Sequence, residues 1–164
     1  MSELIASLLT GLQGSALGEF VRNAELVYPV LESLHILGIA LLVGSAFAFD
    51  LRLLGVGYEL LSVTTAERYL LPLSRIGFFI AVTTGVGLLS AQATVVAQAG
   101  AAPRKFGLLI VAGLNVLVFH CGIYRIVDEW KDAAVTPPAA RAAAAVSLVS
   151  WVGVMFAGRL LAYT

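Results

Sequence analysis

Four stretches of this chain run seventeen residues or more without a charged side chain: 33–49, 76–103, 106–124 and 142–158. A charge at the centre of a membrane helix costs about 2.5 to 3.5 kcal/mol, so gaps between charges mark where lipid can be the solvent. At about 1.5 Å per residue, such a gap reaches most of the way across a hydrocarbon layer of about 30 Å. The composition agrees, with only 12% Asp, Glu, Lys and Arg, 60% hydrophobic residues and a mean hydropathy of +0.96. That is about half the charge of an ordinary soluble domain, too little to hydrate a water-facing surface. Ten basic residues balance ten acidic ones, which leaves no electrostatic footprint for a nucleic acid. An all-α, integral membrane four-helix bundle follows.

Punctuation sets the expected boundaries. A first span at about 27–53 accepts Pro29 in its first turn and places Asp50 and Arg52 near the far interface. Thr64-x-x-Glu67 has capping-box spacing and predicts a separate short helix ending near Pro72. The remaining spans are expected at about 73–97, 104–129 and 138–162, separated by AGAAPRKFG and VTPP. Residues 1–22 form a different unit from the bundle of 23–164. Ile5, Leu8, Leu9 and Leu12 recur at helical spacing among polar residues, the pattern of an amphipathic helix lying in the interface. This segment carries Glu3 and lacks the basic n-region of a signal peptide, so it is expected to be retained. Counting Lys and Arg near the span ends gives six on one side and four on the other, a bias toward both termini lying outside the cytoplasm. Cys121, the only cysteine, is expected to be a small core residue.

Polar groups within spans are candidates for function because they are expensive there. Glu32 and His35 stand three residues apart on the first span, so the carboxylate is placed to orient the imidazole. Glu-x-x-His also occurs in di-metal carboxylate bundles, but those need two such pairs and this chain has one. On the third span, Gly113, His120 and Tyr124 share a face, and glycine leaves room for something flat. Histidines on alternate spans suit axial ligation of haem b. The two are offset in depth by about eleven residues, or about 16 Å, which strains one bis-histidine haem and favours two separate sites. Arg75, Arg125 and Arg141 fall on the His120 side, placed for haem propionates; Arg104, Lys105 and Arg159 fall on the His35 side. Gly77, Ala81 and Gly85 repeat at small-xxx-small spacing, for close helix packing or clearance of a planar group. Trp151 stands near mid-span, facing protein or cofactor. His120, Cys121 and Met155 have the chemistry of a Cu(I) site, although adjacent helix positions diverge by about 100°. No Ser-His-Asp arrangement and no Walker A sequence is present.

The stretch LESLHILGIALLVGSAFAFDLRLLG, the Thr84-Gly85 pair, KFGLLIVAGLNVLVFH and the terminal GRLLAY resemble a family of small bacterial four-helix membrane proteins. More remotely they are similar to HemJ-type protoporphyrinogen oxidases and CopD-like membrane proteins. The resemblance covers about residues 28–162 and implies haem b, with His35, Gly44, Arg52, Lys105 and His120 as counterparts of the HemJ-type pattern. Lys105 is followed here by Phe-Gly-Leu, and Asp50 stands where an apolar residue precedes the arginine. The resulting expectation is a multi-pass protein of the bacterial inner membrane that binds haem b through His35 and His120. Glu32, Arg75, Lys105, Arg141 and Gly113 would surround the cofactor, and electrons would pass to quinone or a redox protein. A HemJ-like oxidase and a cofactor-free proton or small-ion transporter or assembly subunit are the alternatives. The wide apolar surface also suits a homo-oligomer.

Overall fold

Helices form where the charge gaps place them. The computed structural model describes residues 3–160, without the side chain of Ile5. In chain order these are α1 (Glu3–Gln13), α2 (Ala16–Asn23), α3 (Val27–Leu53), α4 (Val63–Gln98), α5 (Ala102–Cys121) and α6 (Pro138–Leu160), with a 3₁₀ segment, Ile123–Glu129, between the last two. No strand occurs among the described residues. Helices α3 to α6 are each long and apolar enough to cross a membrane. Only 17 to 28% of their most apolar stretches is buried inside the protein, so the remainder requires lipid or another apolar cover. The chain is a multi-pass membrane helical bundle.

The first span has the expected limits; three other boundaries differ. Ser62, not Thr64, caps α4, its Oγ accepting from the Thr65 amide at 3.2 Å. The helix then runs 36 residues through Pro72, so the separate short helix does not form. Its break comes instead at Gln92, where φ −135° and ψ 33° leave the helical region. The third span stops at Cys121 rather than continuing to 129. Gly122 turns the chain out of the helix, and a Cβ there would lie 2.7 Å from the Val118 carbonyl oxygen. Positions 161–162 of the expected fourth span, and residues 1–2 of the N-terminal unit, lie outside the described residues.

Two antiparallel pairs make the bundle. In the α3–α4 pair the backbones nearly touch: a Cβ on Gly38 would lie 2.7 Å from the Ala81 amide nitrogen, and one on Gly77 would lie 2.4 Å from that of Leu42. Helix α5 pairs with α6, and the pairs join through α3 and α6, whereas α4 and α5 touch little beyond their connecting turn. Val43, Ala112, Trp151 and Val154 form the core at mid-height. A second core lies toward the end where α3 finishes, around Phe49, Leu53, Val63, Phe119, Trp130 and Ala140. Buried Arg52 ties the loops there, donating from Nε to the Leu61 carbonyl and from Nη2 to the Lys131 carbonyl at 3.4 Å.

The N-terminal unit is two helices, broken after Gly14 by Ser15, which caps α2. It packs on the kinked end of α4. Gln13 Oε1 accepts from the Thr94 amide at 2.9 Å, and Arg22 Nη1 donates to the Ala91 carbonyl at 3.2 Å. Backbone groups turned out by the kink at Gln92 thus find partners on the N-terminal helices.

Candidate functional site

His35 lies one turn before the point where Gly38 meets α4, so its ring falls on the next turn of that helix. The Thr84 hydroxyl donates its single hydrogen to the Ile80 carbonyl at 2.6 Å. It therefore accepts from His35 Nδ1–H, at 3.0 Å. This bond commits Nδ1 as the donor, so the neutral ring carries its lone pair on Nε2, the arrangement in which imidazole ligates a metal. The ring also lies over Gly85, where a Cβ would come within 3.0 Å of His35 Cε1. Of the Gly77–Ala81–Gly85 series, two members serve helix packing and the third accommodates the imidazole. Lys105, on α5, runs its side chain along Gly158 of α6 and is close enough to His35 to act on it electrostatically.

Glu32 does not take the role expected for it. It is exposed and makes no hydrogen bond to His35, because the helix turns the imidazole toward α4 and the carboxylate away from it. Thr84 is the orienting group, and only its adjacency to Gly85 hinted at this in the sequence.

His120 forms a separate environment near the opposite end of the bundle. Its Nδ1 bonds to the Val116 carbonyl at 2.9 Å within its own helix, and its Nε2 is buried without a partner. Phe119 and Tyr124 flank the ring, with centroids at 5.2 and 5.3 Å. Burial, and then the neighbouring Glu67 carboxylate, push the Tyr124 phenol up to about 12. Phe119 meets Phe49 of α3 with ring centroids 6.0 Å apart. His35 stands fourteen residues before Phe49, so the two histidines differ in height by about 21 Å. One haem cannot take both as axial ligands.

The other expected residues scatter. Gly113 opens on empty space rather than lining a gap between helices. Arg141 is exposed in the first turn of α6, at the His120 end. Arg75 is exposed and converges with neither histidine: it stands ten residues before Gly85 along α4, about 15 Å. Cys121 is exposed, not in the core. Met155 is exposed on α6 beside mid-height Val154, so the His120, Cys121 and Met155 set does not assemble. No group of three or more His, Cys, Asp or Glu that could hold a metal ion occurs among the described residues.

Asp50, expected near the far interface, stands three residues before the end of α3; it is 5% exposed, beside the Ser147 hydroxyl of α6, with Oδ2 buried and unpartnered. Nearby, Asn115 of α5 donates to the Ala143 carbonyl at 2.9 Å, adding a second polar crossing between helices. The signal for Asp50 lay in its spacing, seven residues after the inward Val43 on the same stripe of α3.

Comparison with protein-family models, with curated proteins and with solved structures finds no match to the chain.

Proposed function

We propose that this protein binds haem b in the bacterial inner membrane through His35 and acts in electron transfer with quinone or a redox partner. The observation that carries the reading is the His35–Thr84 pair, which holds the imidazole in a fixed orientation with Nδ1–H engaged, so that its neutral form offers the lone pair on Nε2. Haem b, when bound, supplies a reversible one-electron centre. The chain's own residues do the rest: Thr84 orients the ligand, Gly85 admits the ring, and the Lys105 ammonium offers a cation for a propionate. His120 likewise engages Nδ1–H, with the Val116 carbonyl, but its height keeps it from serving as a partner of His35.

Absorption spectra of detergent-purified protein, oxidised and dithionite-reduced, with pyridine haemochrome quantification after haem-replete expression, test this reading. Stoichiometric haem b that is lost in His35→Ala and kept in His120→Ala is the expected result. A folded protein that stays haem-free sinks the proposal.

Asp50 favours a second reading, a cofactor-free proton or small-ion carrier, because a carboxyl buried in a span with one oxygen unpartnered is characteristic of proton and ion pathways. In proteoliposomes holding a pH-sensitive dye, that reading requires proton flux from haem-free protein and its loss in Asp50→Asn.

A further inference from the structure

Arg75 has a depth that no surface arginine should have. The Ser74 hydroxyl beside it donates to the Leu42 carbonyl at 3.5 Å, and Gly77 packs on Leu42 from the other side. Leu42 adjoins Val43, which meets Ala112 of α5 and Trp151 of α6 in the mid-height core. These residues lie near the middle of their charge-free stretches, 33–49, 106–124 and 142–158, so three helices place Arg75 near the bilayer centre. About 12 Å of helix separates Leu41 from either end of its stretch, more than the side chain spans by snorkelling.

At that depth Arg75 is exposed, and it makes no hydrogen bond or ion pair among the described residues. Phe79, Val82 and Val86 continue the same outward stripe at 67, 45 and 49% exposure. Intramembrane arginines face protein or a water-filled cavity and pair with an acid; one facing lipid at mid-depth is a charge awaiting its partner. A second copy of this chain does not supply it. Of the ten carboxylates, Asp50 is buried, and the other nine lie in the N-terminal helices, the connections or the first two turns of α3 and α4. Two copies meeting on this face would instead bring like charges together.

We propose that the Arg75 face of α4 is an interface within the bilayer for a transmembrane helix of another protein that carries a carboxylate at mid-depth. The argument is independent of haem and stands or falls separately from it.

The test uses the full chain in phosphatidylcholine vesicles, with a donor dye on exposed Cys121. The probes are leucine-rich transmembrane peptides bearing an acceptor dye and Glu, Gln or Leu at the central position. Energy transfer should show the Glu peptide binding about tenfold or more tightly than the Leu peptide, with Gln between them. Arg75→Leu should erase the preference and Arg75→Lys should keep most of it. Equal binding of the Glu and Leu peptides to the wild-type chain overturns the proposal, as does a preference that survives Arg75→Leu. Two further outcomes also overturn it: peptide-free self-association that Arg75→Leu abolishes, which assigns the face to a second copy, and loss of the Glu preference when phosphatidylglycerol is added, which assigns Arg75 to a lipid headgroup.

Discussion

A hydroxyl can have its donor committed and still accept, and this is what gives Thr84 its influence over His35. Because the hydrogen goes to Ile80, replacing Thr84 with Val removes the acceptor for Nδ1–H while keeping the side chain's shape. Loss of such an orienting partner weakens metal affinity by about 10- to 100-fold, so Thr84→Val should shed haem by that factor and Thr84→Ser should retain it, as read by haem titration. Gly85→Ala should weaken haem binding by a different route, since its Cβ, 3.0 Å from Cε1, presses the ring aside by a few tenths of an ångström. Tyr124 gives a pH signature at the other end of the bundle. Its folded value is raised from 10.0 to about 12, so the folded state holds the phenolic proton more tightly than the unfolded chain does. The associated stability is fully present below pH 10 and is lost as pH rises to about 12. Unfolding of Tyr124→Phe should show a smaller alkaline loss over that window than the wild-type chain.

Among the elements, the α3–α4 pair depends on absent side chains more than on present ones. Gly77→Ala places a methyl 2.4 Å from the Leu42 amide nitrogen, which the helices relieve only by moving apart. Overpacking of this kind costs about 1 to 3 kcal/mol, and a shifted unfolding midpoint in denaturing detergent would register it. The N-terminal helices work through backbone polarity instead. Gln13 accepts from both the amide and the hydroxyl of Thr94, at 2.9 and 2.7 Å, beside the kink in α4. Gln13→Ala should therefore speed hydrogen exchange at Thr94 while leaving amides before Gln92 protected. Much at this scale was legible beforehand. The limits of α3 follow from where charge begins and ends, and α6 starts at Pro138 as expected from its flanking prolines. Pro72 suggested an end that does not form, and Gly122 lay unread inside the span expected at 104–129. The proline inside α4 gives up its own donor and crowds the carbonyl one turn back, yet the helix carries on, whereas glycine at 122 gives the freedom to end α5 where apolar periodicity alone would have extended it.

For the whole molecule, membrane residence and bundle class were already present in the chain, because the cost of a charge in hydrocarbon depends on composition along one dimension. The assignment of His35 and His120 to opposite ends was also legible, since span order and helix rise together fix height, whereas Arg75, expected beside His120, stands at mid-height. What needed the tertiary structure was rotation about each helix axis, together with the axial offset between neighbouring helices. Those decide that His35 turns to Thr84 and not to Glu32, that Asp50 meets Ser147 instead of water, and that Arg75 faces outward beside mid-height Leu42. An apolar span offers little polar contrast around its circumference to reveal such rotations. They are set by close backbone contacts at Gly38 and Gly77, between residues 39 positions apart.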